Sequence, residues 1–186
     1  MAGSPELREA RRGHEPAPGV ELVRHYLSDL VYGANDGIIT TFAVVTGVAG
    51  ASLEPRTAVI LGLANLLADG FSMGASSFLS IRSEEAVRAT RGEGIQEPFP
   101  FRHGFATLAA FVVAGSVPLL PYVLAPASLR FQVAVVMTLV TLFVVGALRA
   151  LVTTLHWWRA GLEMLLVGAV AAAVSYGVGA AIAGVV

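Results

Sequence analysis

Two aspartates stand inside runs that are otherwise apolar. Asp36 lies in Ala34-Asn35-Asp36-Gly37, and Asp69 lies in Leu67-Ala68-Asp69-Gly70. A carboxylate at the centre of a bilayer costs about 2.5–3.5 kcal/mol on insertion scales, and such residues mark ion or proton routes. At helical spacing, Asn65, Asp69, Met73 and Ser76 or Ser77 share one face of the second run, and Ser80 and Glu84 extend that stripe. His25, Asp29, Asp36 and Thr40 fall near one face of the first run. Polar stripes that cannot face lipid must face each other or a partner. Together they offer carboxylates, amides, hydroxyls and a thioether, which is a ligand set for a cation. Oxygen ligands alone would suit Mg²⁺ or Ca²⁺. The thioether shifts the preference toward a softer transition metal. Two blander readings stand beside this one: Met73 as packing filler, and the two aspartates as a hydrogen-bonded staple between helices.

The elements that must position these residues are membrane helices. The chain has 186 residues, a hydrophobic fraction of 55%, a charged fraction of 13% and no Cys. Its mean hydropathy is +0.72. Soluble domains carry roughly 25% charged residues, so a soluble enzyme and a disordered chain are both excluded by composition. The absence of Cys excludes disulfide scaffolds, Cys-ligated zinc and thiol nucleophiles. A net charge of -1 gives no basic footprint for nucleic acid. A bilayer span needs about 20 mainly apolar residues, and five segments qualify: about 30–53, 57–81, 104–124, 131–151 and 162–186. Glu54-Pro55, Pro98 and Pro100, Pro121 and Pro126, and His156 to Arg159 punctuate them. Pro118 should kink the third. The expected class is therefore an all-α membrane protein with five transmembrane helices. Residues 1–24 read as a disordered cytoplasmic tail, with no apolar run of the kind a secretory leader has, and 25–186 as the membrane domain.

Orientation follows from the twelve arginines. With the N-terminus cytoplasmic, Arg8, Arg11, Arg12, Arg24, Arg82, Arg88, Arg91, Arg102, Arg149 and Arg159 lie inside. Only Arg56 and Arg130 lie outside, and an odd number of spans puts Val186 outside. The longest inside loop, 82–103, should extend the second helix to near Gly92 and Gly94 and then turn between prolines. Its Glu84, Glu85, Glu93 and Glu97, with Asp29 and His25, are candidates for gathering cations at the cytoplasmic mouth. By default these acids are a solvated face, Asp29 is solvated, and His25 is an interface residue. Glu163 is expected to pair with Arg159 four residues earlier, and Trp157 and Trp158 to anchor at the interface. Gly33 with Gly37, and Gly70 with Gly74, bracket the two acids at a spacing that permits close helix approach, here read as packing around the polar route and across a two-fold axis.

The runs YGANDGIITTFAVVTG, from Tyr32 to Gly47, and GLANLLADGFSMGASSFLS, from Gly62 to Ser80, resemble the vacuolar iron transporter family. The resemblance covers about 25–186. It implies proton-coupled export of Fe²⁺, and often Mn²⁺, from the cytosol by a homodimer whose pathway lies between the protomers. It implies that Asp36 is the metal carboxylate of the first helix and Met73 the thioether of the second. Asn65 stands where some members carry a glutamate; an amide oxygen can coordinate but cannot release a proton, so Asp69 is assigned that charge. Many members insert a Glu-rich metal-binding domain between the second and third helices. Only 82–103 stands there in this chain, as in the short nodulin-like and bacterial branch.

The expected pathway residues are therefore Asp36, Met73, Asp69, Asn65, Thr40 and Ser76. The expected cargo is Fe²⁺, with Mn²⁺, Co²⁺ and Zn²⁺ as alternatives, exchanged for protons, and no resident cofactor is expected. The expected partners are a second copy and membrane lipid. The expected location is a bacterial plasma membrane, or a vacuolar membrane in a eukaryote. The rivals are a carrier of another divalent metal, a non-transporting membrane assembly protein, and an intramembrane aspartyl protease. The contexts Asn35-Asp36 and Ala68-Asp69 do not match the protease dyads.

Overall fold

The computed structural model describes residues 20–151 and 154–185. The tail expected at 1–24 lies outside them up to position 19, as does Val186. From Val20 onward the chain is already helical, so 20–24 belongs to the first helix rather than to a tail.

The described elements are all helical. They are α1 (Val20–Gly50), α2 (Pro55–Thr90), α3 (Pro100–Gly115), the short α4 (Leu120–Leu124), α5 (Arg130–Leu148) and α6 (Trp157–Ala183). Proline opens α2 and α3, where its missing N–H costs nothing. The kink expected at Pro118 is present: α3 ends at Gly115, a 3₁₀ turn spans Val117–Leu119, and α4 resumes the path. At the end of α3 the Val112 carbonyl accepts both the Ser116 N–H at 3.1 Å and the Ser116 hydroxyl at 2.6 Å. The extension of α2 past the apolar run is present too. At 36 residues it is about 54 Å long, against about 30 Å of hydrocarbon. It ends before Gly92, whose φ of 73° suits glycine.

Four helical segments are long and apolar enough to cross a bilayer: α2, α3 continued through α4, α5 continued to Leu151, and α6. Five were expected. α1 has the length, 31 residues, but Asn35 and Asp36 interrupt its apolar stretch. Its place in the bundle gives the physical reason. α1 packs on α2, α3, α5 and α6, and Ile38, Phe42 and Val45 are almost wholly enclosed by protein. A helix that faces protein instead of lipid need not be apolar all round.

The core forms where these helices meet. Val45, Leu66, Phe111, Leu119 and Ala134 make one cluster, and Ile38, Leu142 and Met164 make a second. Glycines set the helix spacing. A Cβ on Gly33 or Gly37 would strike the backbone of Thr107 or Phe111 on α3, and one on Gly74 would strike the carbonyl of Gly104. Gly70 faces Leu108 and Phe111. Both glycine pairs are thus used within this chain, against α3.

Candidate metal pathway and cytoplasmic cluster

Asp36 is half-buried on α1, and Asp69 is half-buried on the neighbouring α2. α1 and α2 pack against each other, so the two acids stand on adjoining helices. Sequence spacing places both on polar stripes, and His25 and Asp29 of the first stripe meet Glu97 and His103. The hydroxyl of Thr40 donates to the main-chain carbonyl of Asp36 at 2.8 Å, leaving its oxygen lone pairs free.

The rest of the α2 stripe divides. The buried edge of α2 runs through Ala58, Gly62, Leu66, Gly70 and Gly74. Asn65, Asp69 and Met73 sit one position before members of that edge, on the half-buried flank. Met73 leans on the core cluster around Leu66 and Phe111. Ser76 is exposed, and so are Ser80 and Glu84 further along. The Asn65 Nδ2 atom is buried with no hydrogen-bond partner. An orphaned amide of this kind costs about 1–3 kcal/mol. Asn65 lines an open groove of about 660 Å³ between α1, α2 and α6, together with Val44, Gly47, Ala64, Ala68 and Ser175. Asn35 Oδ1 is also buried and unpartnered, but Asn35 lines a different cavity, about 530 Å³, beside Arg24 and Arg149.

The candidates expected at the cytoplasmic mouth resolve into separate roles. Glu85 is a clamp: its carboxylate accepts the N–H of Gln96 at 3.2 Å and of Glu97 at 3.0 Å, folding the 91–99 loop back onto α2. Glu93 lies 3.4 Å from Arg88. Glu97 faces two imidazoles, with its Oε2 3.2 Å from His25 Nε2 and 3.1 Å from His103 Nε2. Asp29 is not simply solvated: its Oδ2 lies 2.6 Å from His103 Nδ1. His103, only 6% exposed, is the member that sequence reasoning missed. At the far end of the chain, Glu163 pairs with Arg149 at 3.7 Å. That corrects the expected pair with Arg159, whose guanidinium lies over the Trp158 ring. Trp157 and Trp158 are both exposed at the start of α6, where an interfacial anchor would sit.

The chain is similar to known proteins. The model of the VIT family matches residues 27–97 and 89–180. A "Vacuolar iron transporter 1" of Eucalyptus grandis is 24% identical over 220 residues, 87% of each chain. Its namesake from Arabidopsis thaliana is 26% identical over 214 residues, 84% of each chain. A "Vacuolar iron transporter homolog 5" of Oryza sativa subsp. japonica is 31% identical over 163 residues, covering 82% of this chain and 78% of that one.

Proposed function

The chain belongs to the VIT family, and from that premise we propose that it exports Fe²⁺, and Mn²⁺ with it, from the cytosol in exchange for protons. Relatives named as iron transporters support metal-ion transport as the general activity. The observation that carries the finer reading is the placement of Asp36 and Asp69, both half-buried, on the packed helices α1 and α2, with the unpaired amide of Asn65 and the thioether of Met73 on the same flank of α2 as Asp69.

The chemistry follows from the cost of charge in a medium of low dielectric. Without metal, a carboxyl at lipid depth favours its neutral, protonated form. A divalent ion reverses that preference, because its ligands must give up their protons to bind. Asp36 and its counterpart in a second copy would supply two negative charges, enough to neutralise one Fe²⁺. With the Asp69 carboxyls protonated in both copies, the loaded state and the state protonated at both Asp36 carboxyls are then each neutral and cross easily. The empty, charged state does not, so metal moves one way only as protons move the other. Met73 favours Fe²⁺ over harder ions. The Asn65 side chain, turned by half a rotation about its Cβ–Cγ bond, presents its oxygen where the unpartnered nitrogen now stands.

A pathway between two protomers accounts for the uncovered surface of α2. Leu67 and Phe71 are 65% and 69% exposed. Beside them Ala64, Ala68, Ser72 and Ser76 form an exposed strip of small residues at four-residue intervals. Such a strip lets a second helix approach closely, and it adjoins the flank that carries Asn65, Asp69 and Met73. α1 is taken as the fifth span, shielded at the bundle centre, and the arginine distribution sets the N-terminus in the cytoplasm.

The test is uptake into proteoliposomes with a clamped pH difference. Asp36→Asn should fold, insert and carry no Fe²⁺. Parental flux from that variant would refute the mechanism. Unchanged thermal stability of the parent protein across added Fe²⁺, Mn²⁺, Co²⁺ and Zn²⁺ would instead favour the assembly-protein rival.

A further inference from the structure

Apart from the Asp36 and Asp69 pair, the described residues bring together one group of side chains with the reach and chemistry to hold a metal ion. We propose that His25, Glu97 and His103 form a second binding site for a divalent transition metal, oriented by Asp29, at the junction of α1, α3 and the loop between α2 and α3.

The distances fit. The three ligand atoms lie within 4.8 Å of one another. Glu97 Oε2 stands 3.2 Å from His25 Nε2 and 3.1 Å from His103 Nε2. A tetrahedral ion with bonds of about 2.0–2.1 Å separates its ligands by about 3.3 Å. Two edges of the tetrahedron are therefore already in place, and the third closes with a small rotation of the half-exposed His25.

The surroundings fit as well. Metal-bound imidazoles commonly give their other N–H to a carboxylate, which fixes the ring and its tautomer. His103 does this with Asp29: the Nδ1–H donates to Oδ2 at 2.6 Å, leaving Nε2 as the ligating atom. Thr107 holds the same Asp29 from its other oxygen at 3.5 Å and anchors itself on the His103 carbonyl at 3.0 Å. Glu97 is held in turn by its own backbone, since Glu85 accepts the Glu97 N–H. The Tyr26 ring lies 4.6 Å from that of His103 and closes one side.

The donor set names the class of ion. Two imidazoles and one carboxylate suit Zn²⁺, Fe²⁺, Co²⁺ or Mn²⁺, and they do not suit Mg²⁺ or Ca²⁺, which take oxygen ligands. Three protein ligands leave a fourth position open, the pattern of an exchangeable site. The His25 and Glu97 side chains are 25% and 32% exposed, so an ion reaches them from water while His103 forms the floor. The site is independent of the transport reading: it needs neither Asp36 nor a second copy.

Co²⁺ is the probe, because tetrahedral nitrogen and oxygen ligation gives it strong visible absorption. The full-length protein, purified in detergent and carrying Asp36→Asn to silence the membrane pathway, is titrated with Co²⁺. One equivalent should bind with a tetrahedral spectrum. His25→Ala with Glu97→Gln, both at partly exposed positions, should abolish the spectrum while the protein stays monodisperse and helical. Asp29→Asn should weaken binding 10–100-fold and retain the spectrum. Absence of tetrahedral absorption in the Asp36→Asn chain, or its survival in the double variant at unchanged affinity, overturns the site. Flux measured on chains with Asp36 intact separates the two readings. Metal-dependent transport without the spectrum removes only this site, and the spectrum without transport in the parent removes only the carrier mechanism.

Discussion

Met73 carries two jobs on one side chain. It packs against the cluster of Leu66 and Phe111, and it offers the one thioether on the flank beside Asp69. Leucine keeps the first job and drops the second, since a swap of similar volume costs under about 1.5 kcal/mol. Met73→Leu should therefore unfold near the parental temperature, yet bind Fe²⁺ roughly tenfold more weakly, a difference of about 1.4 kcal/mol. Mn²⁺, a harder ion, should lose much less. Metal-dependent thermal shifts of the two proteins, run with both ions, measure this. Equal losses for Fe²⁺ and Mn²⁺ would reduce Met73 to packing alone. The acids at positions 36 and 69 were legible in the sequence because a charge in an apolar run stands out against its neighbours. His103 was not. It sits in Phe101-Arg102-His103-Gly104-Phe105 with no partner at helical spacing, and Asp29 is 74 residues away along the chain. Only tertiary folding brings its ligating neighbours to it.

At the scale of helices, glycine decides how closely α1, α2 and α3 can lie. Gly37 touches the backbone of Phe111, whereas a Cβ on Gly177 of α6 would meet nothing within 4 Å. The two positions make a matched pair. Gly37→Val drives a branched side chain into a carbonyl that cannot move without its helix, so its cost should reach or exceed the upper end of the usual 1–3 kcal/mol for overpacking. Gly177→Ala should be neutral or stabilise by about 0.5–1 kcal/mol, by reducing the freedom of the unfolded chain. Thermal unfolding in detergent reads both; a Gly37→Val protein as stable as the parent would mean that α1 and α3 are further apart than described. The positions of these glycines were visible in the sequence, but their partner was not. Spacing shows that a helix has a smooth face, and it does not say which neighbour fills it. The same limit explains Glu85, which resembled any loop acid until its two backbone donors came into view.

At the scale of the molecule, the proposed second copy would cover the exposed small-residue strip of α2. The sequence has no Cys, so a single introduced cysteine reports on contacts without interference. Ala68→Cys, on the small-residue strip, should form a disulfide-linked dimer in membranes under mild oxidation. Val174→Cys, 61% exposed on the outer side of α6, should stay monomeric on the same non-reducing gel. The reverse pattern would move the interface to α6 and take the pathway off α2. The apolar runs made the all-helical membrane class readable, because hydropathy is summed over many residues. The count of spans was less readable for the opposite reason: α1 owes its place to neighbours and not to its own hydropathy.

That dependence bears on how the protein is made. α1 leaves the ribosome first, with Asn35 and Asp36 near its middle and Gly33 and Gly37 still awaiting the backbone of α3. A nascent chain halted at about residue 95 would hold a helix too polar to settle among acyl tails alone. The close packing that encloses that polar middle is complete only once α3 is present beside α1 and α2. The residues that make the bundle useful to an ion thus also set the order in which it can be assembled.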